Sequence, residues 1–247
     1  MSEKKQRATW SKKKKIGFGI GMGFLALFLT VMAVGNILYY WWVYPYIWYK
    51  RVTFTFENKK CESGHVVFVG DSITDGCDLS LYYPDLDAYN RGIAGDTTDG
   101  VLRRMKNSVY DLQPSLVVLL VGTNDYERCY DHSNEHIMAN YRAILQKIKM
   151  QCPSTKVIAQ SVYPIADVSF HDHYRYGNGH IKDLNKGIAE LCDEFGYAYA
   201  DVFSLLEEKN EEMDMRYSDD GLHPNALGYQ VISAYLSTVI NEQLKEG

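Results

Sequence analysis

An unbroken apolar run, Leu116-Val117-Val118-Leu119-Leu120-Val121, constrains the fold of this chain more than any other segment. The run does not alternate between apolar and polar residues, so both faces of the strand that it predicts must be covered by other parts of the protein. Strands of this kind occur in parallel sheets that carry helices on both sides. The run therefore predicts an α/β fold.

The chain after residue 60 alternates between strand-like and helical segments. Strands are predicted at 65–69, 88–90, 115–121, 156–162 and 197–201, and amphipathic helices at 98–112, 135–151, 181–194 and 225–244. This alternation indicates a mostly parallel, five-stranded sheet between two layers of helices. Ligands of such sheets bind beyond the carboxyl ends of the strands, so functional residues are expected there.

Charge divides the chain into a basic N-terminal part and an acidic remainder. Residues 1–60 contain 11 of the 26 Lys and Arg residues but only 2 of the 31 Asp and Glu residues, a balance of +9. The remaining residues contain 15 basic and 29 acidic side chains, a balance of -14. Because an acidic domain repels the phosphates of nucleic acids, no nucleic-acid partner is predicted.

A long segment near the N-terminus has no charged side chain, from residue 16 to residue 49. A membrane-spanning helix needs only about 20 apolar residues, so this segment is long enough to cross a bilayer. Its far end is rich in Tyr and Trp, which favour the membrane–water interface, and Pro45 is expected to end or kink the helix. Residues 16–49 are therefore predicted to be a transmembrane anchor with the lipid bilayer as partner.

The basic residues before this anchor set its predicted orientation. Positively charged flanks favour the cytoplasmic side, so residues 1–15 are expected to form a cytoplasmic tail. A polar stalk at 50–63 and a folded domain at 64–247 would then lie outside the membrane. The competing interpretation is a cleaved signal peptide, because Ala33-Val34-Gly35 resembles a cleavage site. The length of the apolar segment favours an uncleaved anchor.

The cysteines give no sign of a metal site. They are odd in number and contain no CxxC pair, so neither a cysteine zinc site nor a disulfide pattern is predicted, and most are expected to be buried or free thiols. The five are Cys61, Cys77, Cys129, Cys152 and Cys192.

Polar residues follow three predicted strands, and two more precede the last helix. Ser72, Gly95 and Asn124 come after the first, second and third strands, and Asp220 and His223 lie before the helix at 225–244. Because the ends of parallel strands share one edge of the sheet, these residues are expected to converge on one crevice. A serine alone at such a turn is weak evidence of catalysis, so the prediction depends on the whole set.

These residue types match what acyl transfer requires. The hydroxyl of Ser72 needs a base, and His223 is suitable because an ordinary histidine has a pKa of about 6.5. Asp220, three residues before His223, would accept a hydrogen bond from the imidazole and fix its tautomer. The backbone N–H groups of Ser72 and Gly95 and the side-chain amide of Asn124 would hold the oxyanion, and a helix N-terminus at Ser72 would favour its charge.

The segment from about residue 64 to residue 244 resembles the SGNH (GDSL-type) hydrolase family. The motifs that carry the resemblance are Gly70-Asp71-Ser72, Ala94-Gly95-Asp96-Thr97, Gly122-Thr123-Asn124-Asp125 and Asp220-Gly221-Leu222-His223-Pro224. The resemblance implies a three-layer, flavodoxin-like α/β/α domain at 64–247 and the roles given above for the five site residues. It also implies hydrolysis of esters or thioesters without a metal or an organic cofactor.

The sequence leaves the substrate open. An acidic domain outside the membrane favours the removal of short acyl groups from glycans of the cell envelope or the environment. Transfer of the same acyl group to a sugar hydroxyl, lysophospholipase or lipase activity, and glycan binding without chemistry are the alternatives. The aromatic- and histidine-rich stretch at 164–180 is expected to overhang the crevice, as a ring-stacking surface or an acyl pocket.

Overall fold

A computed structural model describes residues 12–127, 132–166, 177–209 and 211–245. Within the first helix, the side chains at 12–20, 36 and 38–44 are outside this description. The chain divides into two compact units, Met1–Trp48 and Tyr49–Gly247. The second unit contains the whole sheet and all the predicted site residues.

The first helix, α1, runs from Lys12 to Glu57 and is continuous through Pro45, so the helix does not end at that residue, which was one of the two effects expected there. Proline removes one backbone N–H, which costs a single hydrogen bond of the helix, and helical residues continue on both sides. Part of the predicted anchor at 16–49, including most of its aromatic end, falls on side chains that are not described. Among the described residues, no helix combines the length and the apolar character needed to cross a membrane.

The sheet of the second unit has five parallel strands, as predicted. They are β1 (Val66–Gly70), β2 (Ala88–Gly92), β3 (Leu116–Leu120), β4 (Lys156–Gln160) and β5 (Ala198–Ala200). Their order across the sheet is β2-β1-β3-β4-β5, the order of flavodoxin-like folds. The central strands β1 and β3 are buried along their full lengths, which explains why β3 reads as an unbroken apolar run.

Helices cover both faces of the sheet and produce two apolar cores. Val117 and Leu119 of β3 point into one core, whereas Val118 and Leu120 point into the other. The first core also contains residues of α4 (Thr98–Met105), α5 (Asn134–Gln151) and α6 (Asn178–Phe195), and the second contains residues of α8 (Ala226–Lys245). The shorter helices are α2 (Ser72–Asp75), α3 (Leu79–Tyr82) and α7 (Phe203–Leu206). The domain therefore has the three predicted layers.

The helix predicted at 98–112 changes its form part-way. Regular α-helical turns end at Met105, and a wider π-helical segment follows at Lys106–Tyr110. The N-terminus of α4 is fixed by Thr97, whose hydroxyl accepts a hydrogen bond from the N–H of Gly100. This cap sets the position of the loop between β2 and α4, which carries Gly95.

The predicted stalk at 50–63 differs from the structure in its first half, because α1 continues to Glu57 and its last turns belong to the second unit. Phe54 is buried, with the guanidinium of Arg91 from β2 at 4.7 Å from its ring centre. Arg91 also lies 3.1 Å from the carboxylate of Glu57. Phe54 and these ionic contacts together attach the last turns of α1 to the sheet domain.

Candidate active site

Three loops leave the sheet side by side at its carboxyl edge. In the register of the parallel strands, Gly70 at the end of β1 pairs with both Gly92 of β2 and Leu120 of β3. The loops that follow these residues carry Ser72, Gly95 and Asn124, respectively. The three loops therefore start next to one another, as predicted, because the strands before them are paired in the sheet.

Ser72 begins a single helical turn directly after β1. Asp71 caps this turn, because one oxygen of its carboxylate accepts a hydrogen bond of 3.0 Å from the N–H of Ile73. At Gly70, a Cβ would lie 2.2 Å from the carbonyl oxygen of Leu120, so no larger residue fits. Since α2 spans only Ser72–Asp75, its dipole is small. Its expected contribution to the oxyanion therefore comes from the N–H groups of its first turn and less from a helix macrodipole.

Ser72, His223 and Asp220 form a continuous hydrogen-bonded chain. The Oγ of Ser72 lies 3.0 Å from the Nε2 of His223, and the Nδ1 of His223 lies 2.7 Å from the Oδ2 of Asp220. The other oxygen of Asp220 accepts hydrogen bonds from the backbone N–H groups of Leu222 and His223, at 2.9 and 2.8 Å. This is the contact pattern that a nucleophile, a base and an orienting acid need, and the three roles stay predictions.

The environment of Asp220 keeps its carboxylate ionised. Partial burial raises its pKa, but the hydrogen bonds from the ring and backbone of His223 and from Leu222 have the larger combined effect, so the pKa falls to about 2. The buried Ser218 supports the turn, since its hydroxyl accepts from the N–H of Gly221 at 2.9 Å and lies 2.8 Å from the carbonyl oxygen of His223. A fixed negative charge therefore faces the imidazole throughout the neutral pH range.

The expected oxyanion donors lie on connected loops. Gly95 has a φ of +75°, a conformation that favours glycine, and open space lies where a side chain would project. The side-chain amide of Asn124 donates one hydrogen bond of 2.9 Å to the carbonyl oxygen of Asp96. An amide nitrogen has two N–H groups, so this bond orients Asn124 against the Gly95 loop and leaves a second donor for a ligand.

Sequence reasoning missed a buried arginine that supports the nucleophile turn. Arg104 is 1% exposed, and its Nε donates to the carboxylate of Asp96 at 2.6 Å. Its Nη2 and Nη1 donate to the carbonyl oxygens of Gly70 and Arg91, at 2.8 and 2.7 Å. Position 104 comes three residues after Val101, so helical spacing places both on the same buried face of α4. This spacing was the sequence signal that could have predicted the burial of Arg104.

A second missed contact connects α1 to the Gly95 loop. Lys50 donates to the Oδ1 of Asp75 at 2.6 Å, and the Oδ2 of Asp75 accepts from the N–H of Ala94 at 3.0 Å. The two contacts use different oxygens of the Asp75 carboxylate. Lys50 therefore positions Asp75, and Asp75 in turn positions the loop that carries Gly95. A stalk residue gives no sequence signal for such a role.

We expect Lys50→Met to lower kcat about 3- to 10-fold without a matching change in KM, because the Gly95 loop would be positioned less well for the developing oxyanion. The measurement is steady-state hydrolysis of a short-chain aryl ester. The exposed Lys60 provides the control, and Lys60→Met should retain the parental kcat. Equal kcat values for the two variants would contradict the role of Lys50.

The buried carboxylate of Asp71 makes stability dependent on pH. Burial raises its pKa from 3.8 to about 7, against the hydrogen bond from Ile73 and with a further contribution from the nearby carboxylates Asp96 and Asp125. Between about pH 4 and pH 7 the native state retains a proton that the unfolded chain has lost, so the free energy of unfolding falls as the pH rises through this window.

Asp71→Asn should remove this pH dependence, because the amide oxygen can still accept from the N–H of Ile73 but carries no charge. We expect the melting temperature of the variant, relative to the parent, to increase steadily from pH 4 to about pH 7 and then to level off. Asp85→Asn, at an exposed position, should follow the parental curve. A difference between Asp71→Asn and parent that does not vary with pH would refute the assignment.

Two sequence expectations fall partly outside the described residues. The stretch predicted to overhang the crevice, 164–180, includes 167–176, which are not described. Cys129 is also among the residues that are not described, whereas the described cysteines are free thiols, as expected: Cys61, Cys77, Cys152 and Cys192.

Comparisons with known proteins point to one protein family. A model of the GDSL-like Lipase/Acylhydrolase family matches residues 68–231. The chain belongs to this family. The matched region begins in β1, ends in α8 and contains every predicted site residue. Together with the contacts of Ser72, His223 and Asp220, membership in the family supports an ester-hydrolysing enzyme.

Relatives of this GDSL-like chain include mammalian acetylhydrolases. Platelet-activating factor acetylhydrolase IB subunit alpha2 of Rattus norvegicus is 36% identical over 187 residues, which cover 73% of this chain and 78% of the relative. Subunit alpha1 of Bos taurus is 33% identical over 113 residues, so the match spans about half of that relative (47%) and 43% of this chain. A GDSL-like lipase from Bacteroides thetaiotaomicron is 25% identical with a TM-score of 0.71, and the match covers 78% of this chain and 97% of that structure.

Proposed function

We propose that this GDSL-family chain is a membrane-anchored serine esterase that removes short acyl groups from glycans of the cell envelope or the environment. The observation that carries the chemistry is the chain of contacts from the Oγ of Ser72 to the Nε2 of His223, at 3.0 Å, and from its Nδ1 to Asp220, at 2.7 Å. Both nitrogens of the imidazole are engaged, one toward the hydroxyl and one toward a carboxylate.

In the first half of the reaction, His223 takes the proton of Ser72 as the Oγ attacks the ester carbonyl carbon. The carbonyl oxygen becomes an oxyanion and accepts hydrogen bonds from Ser72, Gly95 and Asn124. As the tetrahedral intermediate collapses, the protonated imidazole gives its proton to the leaving alkoxide. An alcohol departs, and the acyl group remains on Ser72.

In the second half, water replaces the alcohol. His223 takes a proton from the water molecule, the resulting hydroxide attacks the acyl carbon, and the same three donors hold the second oxyanion. Collapse of this intermediate returns the proton to the Oγ of Ser72 and releases the acid. Asp220 keeps its negative charge throughout and stabilises the imidazolium that forms twice in each cycle.

Two observations support a short acyl group on a neutral glycan. The rat relative carries the name of an acetylhydrolase, which indicates a small acyl group. The acidic character of residues 61–247, with 15 basic and 29 acidic side chains, disfavours anionic substrates. A neutral acylated sugar approaches such a surface without repulsion.

The substrate proposal is tested with the purified full chain and four substrates: an acetylated xylooligosaccharide, an aryl acetate, an aryl octanoate and a lysophosphatidylcholine. We expect kcat/KM for the two acetates to exceed that for the octanoate and the lysophospholipid at least tenfold, since a pocket suited to a short acyl chain rejects longer ones by about 1–3 kcal/mol. Faster hydrolysis of the long-chain substrates would indicate a lipase or lysophospholipase. Accumulation of an acylated acceptor sugar in place of free acetate would indicate a transferase.

The membrane-anchor proposal depends on the charge-free segment at 16–49, its basic flank at 1–15 and its aromatic far end. Its orientation places the N-terminus in the cytoplasm and residues 50–247 outside. An external protease added to intact cells should therefore digest the catalytic unit, and the chain should stay in the membrane fraction after alkaline carbonate washing. Full protection from the protease would refute the orientation, and release by carbonate would refute the anchor.

A further inference from the structure

Three side chains that the proposed reaction does not use lie together at the N-terminal ends of α4 and α5. Asp99 belongs to the first turn of α4, His132 lies just before α5, and His136 belongs to the first turn of α5. One ligand atom from each lies within 4.8 Å of the other two. Two imidazoles and one carboxylate form a donor set that suits divalent transition metals.

The distances in this cluster are close to those of a metal site. Two ligands of a tetrahedral zinc ion, each about 2.1 Å from the metal, lie about 3.4 Å apart. The Oδ2 of Asp99 lies 2.7 Å from the Nε2 of His136 and 3.8 Å from the Nε2 of His132. Small rotations of these side chains would equalise the distances, and the half-exposed ring of His136 leaves a fourth position for water.

A fourth residue orients His132 in the manner of a metal ligand. The carboxylate of Asp125 is fully buried and lies 2.9 Å from the Nδ1 of His132. Its two oxygens also accept from the hydroxyl and the N–H of Thr98, at 2.6 and 2.9 Å. Contact at Nδ1 fixes the ring with Nε2 toward Asp99. A carboxylate on the far nitrogen of a ligating histidine is a regular feature of zinc sites.

The charges of the cluster favour a bound cation. The rings of His132 and His136 have centroids only 4.1 Å apart, and the Nε2 of each ring lies near the same oxygen of Asp99. The N-termini of α4 and α5 disfavour a cation modestly, and the negative charges of Asp99 and Asp125 offset this effect.

We propose that Asp99, His132 and His136 form a binding site for a divalent transition-metal ion, for which Zn²⁺ is the best match. The ion would join the first turns of α4 and α5 and, through Asp125, the segment that carries Asn124. The site would be structural, since none of its three ligands is among the residues proposed to act on the ester, and it is separate from the chemistry proposed for Ser72.

The test measures binding of Zn²⁺ to the full chain after treatment with EDTA and dialysis, by isothermal titration calorimetry. We expect one Zn²⁺ per chain at micromolar concentrations, a higher melting temperature with Zn²⁺, and no binding of Mg²⁺ at the same concentrations. Replacement of Zn²⁺ by Co²⁺ should produce the visible absorption of a tetrahedral site. His136→Gln and Asp99→Asn, both at sites with solvent access, should each weaken binding at least about 10-fold, since loss of a ligand costs no less than loss of its hydrogen-bond partner.

His65 provides a matched control. Its Nδ1 also contacts a carboxylate, that of Asp87 at 2.9 Å, but among the described residues His65 does not belong to a cluster of three metal-ligating side chains. His65→Gln should bind Zn²⁺ as the parent does. Unchanged affinity in both His136→Gln and Asp99→Asn would overturn the proposal, because the ion would then bind elsewhere. Absence of any Zn²⁺-dependent heat or melting shift in the parent would overturn it as well.

Discussion

Replacement of Ser72 by alanine is expected to reduce kcat for a short-chain aryl ester at least about 10⁴-fold, which is typical for loss of a serine nucleophile. The expected loss is this large because the acyl group has no other atom to bond to. The Nε2 of His223, 3.0 Å from the Oγ, would be left without its proton donor. The rates are compared at equal concentrations of the two full chains.

Two controls make this result specific. Ser80→Ala removes an exposed serine hydroxyl from the neighbouring helix α3 and should leave kcat unchanged. The melting temperature of Ser72→Ala should match that of the parent, since the Ser72 hydroxyl is described only in contact with His223. If Ser72→Ala folds normally and hydrolyses the ester at the parental rate, the serine-esterase proposal is wrong.

Arg104→Met is expected to cause the largest loss of stability, about 3–5 kcal/mol of unfolding free energy. The substitution leaves the carboxylate of Asp96 buried without its cation and removes the donors to the carbonyl oxygens of Gly70 and Arg91. For a unit of this size, the loss corresponds to a melting temperature lower by about 6–20 °C. Chemical denaturation gives the free energy and scanning calorimetry the temperature.

The adjacent residue provides the matched control for this substitution. Arg103 is exposed, and Arg103→Met should change the unfolding free energy by no more than about 0.5 kcal/mol. A second variant, Arg104→Met combined with Asp96→Asn, should recover part of the loss, because no buried charge is then left without its partner. Equal effects of Arg103→Met and Arg104→Met would contradict the structural role of Arg104.

The strands of the sheet could be predicted from the sequence because each strand is identified by the apolar pattern of a short segment. The predicted strand at 115–121 agrees with β3 to within one residue at each end, since an apolar run bounded by polar turns leaves little choice. The candidate site residues could also be found from the sequence, because each lies in a loop after a strand or just before a helix. Parallel pairing then brings their loops to one edge without further information.

The missed features depend on contacts between distant parts of the chain. Arg104 is buried because it reaches Gly70, 34 residues away in the sequence, and Lys50 is ordered by Asp75, 25 residues away. A charged residue in a helix normally indicates a solvent-exposed position, and this rule fails where backbone carbonyls and a carboxylate surround the charge. Sequence patterns do not identify such partners.

The packing of the last turns of α1 determines where the chain can be cut. Residues 49–57 are helical, and Phe54 belongs to the core of the second unit, so a protease meets a folded segment there and not an extended one. A cut between Lys50 and Phe54 would also remove the lysine that holds Asp75. A catalytic unit that keeps the contact of Lys50 with Asp75 must therefore begin before residue 51, within α1.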